Sequence, residues 1–159
     1  MPAQQPATPD RGDIRDLIES HLHLEGPLLP ILHAMMEAYG YVPDEALLDI
    51  ADALNISRAE VHGVMSFYHD FRTIPAGRHV VKICRAEACK SVGADALAEN
   101  ALAKLGTVWH GTTPNGAVTI EPVYCLGLCA NGPAAMVDDR IVAGLDEAKL
   151  DAVFKEAGA

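Results

Sequence analysis

"RTIPAGRHVVKIC", Arg72–Cys84, is where the sequence changes its period. Before it, apolar residues recur every three to four positions, the spacing of a helix face. After Pro75 the pattern shortens, and "HVVKI" reads as a β-branched strand that ends at Cys84. The chain is therefore expected to divide here, into a disordered tail at 1–12, a helical bundle at 13–73 and an α/β domain at 74–159.

Toward the amino terminus, "DIRDLIESHLHLEG" reads as a first amphipathic helix from about Asp13, ending at Gly26. In "GPLLPILHAMMEAYG", Leu28, Leu32, Met35, Met36 and Tyr39 share helical spacing, and Gly40 is a C-terminal cap. "PDEALLDIADALN" gives a third helix through Leu47, Ile50, Ala51 and Leu54. Ser57 and Glu60 form the S-x-x-E signature of a capping box, opening a fourth helix through Val61, Val64 and Met65. The opening residues "MPAQQPATPDRGD" lack the apolar core of a signal peptide and read as the tail.

Toward the carboxyl terminus, a helix is expected from about Ser91 to Leu105, stopped by Gly106. "TVWH" reads as a second strand. Asn115-Gly116 is a turn signal before "AVTIEPVY", a third strand running into Cys125. "AAMV" and "RIVAG" flank Asp138-Asp139 as a hairpin, and a last helix starts at Asp146 with Leu145 and Leu150 placed for a hydrophobic staple. The order is a strand, a helix, further strands and a last helix. With a right-handed crossover between the first two strands, it suits an α/β sandwich of thioredoxin type.

Composition narrows the function. Half of the 159 residues are hydrophobic, enough for a core without staples. The formal net charge of -10 argues against nucleic acid, which needs a basic footprint. No uninterrupted apolar stretch approaches the ~20 residues of a membrane span; "LLPILHAMM" is interrupted by Pro30 and His33. The cytoplasm is the expected compartment, where thiols remain reduced or bind metal.

All four cysteines fall in two tight pairs, Cys84 with Cys89 and Cys125 with Cys129, each just after an expected strand. Neighbouring strands would deliver both loops to one sheet edge, and the 35 residues between Cys89 and Cys125 suffice for a helix and a return strand. Four thiolates meeting there suit a soft metal centre. Neither pair has the C-x-x-C spacing of a redox dithiol. Structural zinc usually comes as closer knuckles in a domain too small to fold without metal, and it remains the alternative. A Rieske centre needs two histidines, and no histidine lies inside either motif. A [4Fe–4S] cluster usually takes three closely spaced cysteines, whereas a two-plus-two set suits [2Fe–2S]. Around the thiols, Lys90, Ser91 and Val92 are expected to open a helix whose free N–H groups face the centre. Gly127 and Gly132 would let backbone amides approach sulfur, or are ordinary turn glycines. Lys82 and Arg85 either add positive potential or are solvated surface charges.

The run "FYHDFRTIPAGRHVVKIC", the C-x4-C pair and "CLGLCANGPAAMVDD" together resemble the thioredoxin-like [2Fe–2S] subunit of NADH:quinone oxidoreductase (complex I) and related NAD-linked dehydrogenases. The resemblance spans roughly Leu28 to Val153, and "CRAEAC" is most similar to the gamma subunit of the molybdenum-containing, NAD-dependent formate dehydrogenase. It implies a thioredoxin-like [2Fe–2S] ferredoxin domain preceded by a small helical bundle that clasps a flavin subunit. It also implies that Cys84, Cys89, Cys125 and Cys129 are the cluster ligands, and that FMN and NAD bind a partner subunit, with a larger catalytic subunit beyond. The chain would be a non-catalytic electron carrier in a formate dehydrogenase complex, or the corresponding subunit of complex I or of an NAD-reducing hydrogenase.

Other signals have plainer readings. No G-x-G-x-x-G follows a strand and no P-loop is present. "DALNISRAEVHGV" resembles a helix-turn-helix, yet its second helix has Arg58 as its sole Lys or Arg, so bundle packing is expected. His21 and His23 diverge on a helix, and His62 and His69 bracket Met65 and Phe67; surface positions are expected for them. Met35 and Met36 are read as core or docking residues, Asp138 and Asp139 as a turn, and Phe67, Tyr68 and Phe71 as packing at the aromatic junction that the family resemblance implies.

Overall fold

The structure is a computed structural model and describes residues 9–159. Most of the expected tail, 1–8, lies outside the described residues. The rest of the chain divides after Pro75 into two compact units.

The first unit is four helices, α1 (Arg11–His21), α2 (Leu28–Tyr39), α3 (Ala46–Leu54) and α4 (Arg58–Phe67). The first starts inside the expected tail, because the Asp10 carboxylate accepts the Gly12 N–H at 3.1 Å and caps it. It also ends at His21, five residues short of Gly26. The Ser20 hydroxyl and the His21 ring both bond the Leu17 carbonyl, local bonds that compete with continuation of the helix. Gly40 closes α2 at φ 75°, and Asn55 closes α3 at φ 53°, left-handed positions that Gly and Asn tolerate. Both halves of the α4 capping box form: the Ser57 hydroxyl accepts the Glu60 N–H at 3.2 Å, and the Glu60 carboxylate accepts the Ser57 N–H at 2.8 Å.

Ile14, Ile18, Ile31, Leu32, Met35, Ile50 and Val61 form this unit's core. At its margin, buried Asp49 accepts two bonds from Arg11 at 2.9 and 3.0 Å and one from Arg15 at 3.3 Å. Arg11 hydrogen bonding holds the Asp49 carboxyl below the ordinary carboxylate range, against the opposing effect of burial. A depressed folded pKa means that the stabilisation is complete above the unfolded value, about 3.9, and is lost as pH falls through the folded value. Asp49→Asn should therefore cost about 1–2 kcal/mol at pH 7 and progressively less in acid, read from the unit's urea transition by circular dichroism.

The second unit, Ala76–Ala159, holds β1 (His79–Cys84), α5 (Glu87–Ser91), α6 (Ala94–Leu105), β2 (Val118–Val123), β3 (Ala134–Val137), β4 (Arg140–Ala143) and α7 (Glu147–Glu156). One four-stranded sheet has the order β2-β1-β3-β4. Strands β1 and β2 are parallel, with His79 opposite Val118 and Cys84 opposite Val123. Strands β3 and β4 form an antiparallel hairpin beside β1. Asp138 takes φ 52° in the two-residue turn, and its carboxylate accepts the Val80 N–H at 2.9 Å and bonds His79 at 2.8 Å. The aspartate pair is thus a turn, as read. Val81, Ile83, Val118, Ile120, Ala98, Leu150 and Phe154 pack the core.

Two expectations fail here. The helix expected over 91–105 forms from Ala94 and ends at Leu105 as expected, but it starts three residues late, capped by Gly93 at φ 94°, and the separate short helix α5 precedes it. "TVWH" forms a turn, and the sheet has four strands among the described residues. Its backbone doubles back: Gly111 donates to the Val108 carbonyl at 2.9 Å, and a Cβ on Gly111 would lie 2.6 Å from the Thr107 hydroxyl. That fold-back overrides the strand propensity of Thr107 and Val108.

Candidate metal centre

The parallel register places the thiols. With Cys84 at the last paired position of β1 and Val123 opposite it, β2 ends on the same sheet edge, and Tyr124 and Cys125 continue from it. The Arg85 N–H donates to the Val123 carbonyl at 2.8 Å and extends the pairing one residue beyond Cys84. The short helix α5 then turns the chain back and buries Cys89. In the second loop a 3-10 turn spans Cys129–Asn131. Its carboxyl end is tied to the chain after β4, where Gly144 donates to Asn131 at 2.7 Å and Leu145 to Pro133 at 2.9 Å.

The pairs differ in setting. Cys84 and Cys89 are 1% and 2% exposed, and their thiols are hydrogen-bonded to each other. Cys125 and Cys129 are exposed, with their sulfurs 3.8 Å apart, and Tyr124 and Val92 are exposed apolar neighbours in sequence of the two motifs. Cys125 holds φ 108°, a left-handed conformation uncommon for any residue with a side chain and most often kept where function requires it.

Backbone amides surround the sulfurs. Burial alone would raise the Cys84 thiol, yet the N–H groups of Ala86, Cys125 and Leu126, with the Cys89 thiol, carry it below its ordinary value. Burial raises Cys89, the neighbouring Cys84 raises it further, and the Ala134 amide opposes both. Cys129 is raised chiefly by its hydrogen bond to Cys125, then by the Cys125 charge, burial and the Cys84 charge. The Gly127 N–H reaches Cys125 Sγ at 3.4 Å. The Cys84 thiolate is thus stabilised by dipoles while Cys89 and Cys129 resist ionising beside it, an arrangement that bound cations would complete.

Among the described residues no three His, Cys, Asp or Glu side chains are grouped to hold a metal ion by themselves. The donors instead come as two sulfur pairs at one sheet edge, with amides aimed at sulfur. This fits a two-iron cluster with four thiolate ligands.

All four cysteines found in the sequence meet at this edge. The expected helix start at Lys90–Val92 does not: Lys90 and Ser91 end α5 and Val92 caps it, and the amides that reach sulfur include those of Ala86, Cys125, Leu126, Gly127 and Ala134. Backbone donors leave no side-chain signal, which is why sequence reasoning missed four of these five positions. Gly127 was legible. Gly132 was too, for a different reason: a Cβ there would stand 3.2 Å from Cys89 Sγ. Arg85 is paired with Asp95, and Lys82 is also partnered. Tyr68 and Phe71 form an edge-on pair with Phe71 buried, while Phe67 is 74% exposed.

A family model for the thioredoxin-like [2Fe–2S] ferredoxins matches residues 14–158. The NADP-reducing hydrogenase subunit HndA of Solidesulfovibrio fructosivorans is 30% identical over 91% of this chain and 84% of its own. An NADH-quinone oxidoreductase subunit of Escherichia coli K12 is 35% identical over 79% of this chain and 78% of its own. Among solved structures, an NAD+-reducing [NiFe]-hydrogenase in the air-oxidized state superimposes with a TM-score of 0.68 at 25% identity. The match covers 82% of this chain and 22% of that longer one. The family match spans both the helical unit and the cysteine-bearing sheet, and the chain belongs to the thioredoxin-like [2Fe–2S] ferredoxin family, whose cofactor is a [2Fe–2S] cluster.

Proposed function

We propose that Cys84, Cys89, Cys125 and Cys129 hold the [2Fe–2S] cluster, one pair to each iron, and that the chain exchanges single electrons with the flavin of a partner subunit that also binds NAD. The observation that carries this reading is the meeting of two thiol pairs at one sheet edge under a set of inward amides. Such a cluster, when bound, supplies one-electron chemistry. The protein's part is electrostatic: amide N–H groups of Ala86, Cys125, Leu126 and Ala134 stabilise negative charge on sulfur, and burial of Cys84 and Cys89 keeps water from that side. The exposed Cys125 and Cys129 turn the other side toward a partner. No catalytic residue is assigned to this chain.

The complex we favour is a cytoplasmic, NAD-dependent formate dehydrogenase, on the likeness of "CRAEAC" to its gamma subunit, with FMN and NAD on the partner and a larger catalytic subunit beyond. The hydrogenase and quinone-reductase subunits among the relatives support a second reading, the same role in one of those complexes. No described helix is long and apolar enough to cross a membrane.

Purified anaerobically, the chain should be reddish brown, contain iron and acid-labile sulfide in equal amounts, and bleach in part with dithionite. A colourless protein with one zinc per chain would identify a non-redox assembly module instead. Co-purification with a flavin subunit, then assay of formate, hydrogen and NADH as donors, separates the complexes.

A further inference from the structure

Cys84 leads directly into a charged side chain that is held from several directions. The Arg85 Nε donates to Asp95 Oδ1 at 3.2 Å, and the guanidinium carbon lies 5.0 Å from the centre of the Trp109 ring. Its backbone N–H is fixed on Val123. Asp95 lies in the first turn of α6, next to Ala94, which is buried in one cluster with Cys84 and Cys89. A cation lies between the two buried thiols along the chain, and its counter-anion sits on the helix packed against that pair. The Trp109 ring face adds a cation–π contact that limits where the flexible arginine can go.

We infer that Arg85 and Asp95 form a charge-balanced pair, held in place by Trp109, that sets the reduction potential of the cluster at the four cysteines. The inference rests on the cluster reading above. Arg85 and Asp95 are positioning residues: neither is a ligand, and each acts through its field. Reduction would add one negative charge to the iron–sulfur unit that the four thiolates would hold, the electron going to an iron. A nearby unit charge within roughly a Debye length, ~10 Å, and partly shielded from water favours or opposes that addition according to its sign. Paired, the two nearly cancel. Arg85→Gln leaves Asp95 uncompensated and makes reduction harder; Asp95→Asn leaves the guanidinium uncompensated and makes it easier.

The experiment is a redox titration of the full-length chain, followed by electron paramagnetic resonance, on wild type, R85Q, D95N, R85K and the R85Q/D95N double variant. Iron and sulfide are measured on each. R85Q should shift downward and D95N upward, each by at least about threefold in the oxidised-to-reduced ratio at fixed potential, about 28 mV for one electron. R85K and the double variant should stay close to wild type. A purely structural clamp would respond alike to loss of either partner, so shifts of the same sign, or none, in variants with full iron and sulfide would overturn the inference. Should R85Q fail to hold iron, D95N decides: an upward shift supports the pair, an unmoved potential refutes it. A wild-type chain without iron and sulfide removes the cluster reading itself, and this inference with it.

Discussion

Cys84→Ala should leave the chain colourless, with iron and sulfide at least about tenfold below wild type after anaerobic purification. The sulfur it removes is 1% exposed and draws amides from its own loop and from the opposite one. No water reaches that position to complete the coordination, and the amides of Ala86, Cys125 and Leu126 would point at an empty site. Unpaired buried donors cost about 1–3 kcal/mol each, so the loss extends to the folded apo chain. Cys129→Ser should behave differently. Its sulfur lies at the surface, where a serine oxygen or a water can complete the shell, so iron is retained with an altered absorption spectrum. Full iron and an unchanged spectrum in Cys84→Ala would refute the ligand assignment.

Gly132→Val should have the second largest effect, without touching a ligand. The backbone of Gly132 has φ -69°, which any residue adopts, so the substitution carries no conformational penalty. Space is the constraint. A Cβ would lie 3.2 Å from Cys89 Sγ and 3.3 Å from Val92 Cγ2, and valine adds two methyl groups beyond it. Cys89 is buried and anchored to α5, so relief requires a shift of the short helix or of the 3-10 turn. Overpacking of this kind costs about 1–3 kcal/mol. The expected result is cluster loss to a chelator at least about tenfold faster than wild type, with Gly132→Ala intermediate, followed by the decay of visible absorption. Equal loss rates for wild type and Gly132→Val would show that this approach does not hold Cys89 in place.

The sequence made one part of this centre plain and concealed another. Cysteine spacing and the strand patterns "HVVKI" and "AVTIEPVY" put two pairs at a shared edge, because period-2 β-branched runs and the turn at Asn115-Gly116 are local signals. The capping box at Ser57 and Glu60 was equally local, and it forms as read. The late start of α6 at Gly93 and the separate α5 were not legible, since a single glycine near a helical pattern is usually tolerated. "TVWH" went astray because its conformation is decided by contacts with Gly111 and Ile120, residues outside the run. The Arg85–Asp95–Trp109 cluster joins positions up to 24 apart and carries no pattern at all.

The pairing of β1 with β2 has a consequence for how this chain tolerates change in length. The two cysteine loops are aligned by a ladder that runs from His79 opposite Val118 to Cys84 opposite Val123. Dropping one residue from either strand would turn its cysteine to the other side of the sheet and part the quartet. The stretch before β2 is tied as well: His110 donates to Ile120 at 2.7 Å, Thr113 donates to Val118 at 2.8 Å, and the Trp109 ring lies against Arg85. Insertions should therefore be absent from both strands and from the residues bonded to β2, and a label or tether belongs away from them.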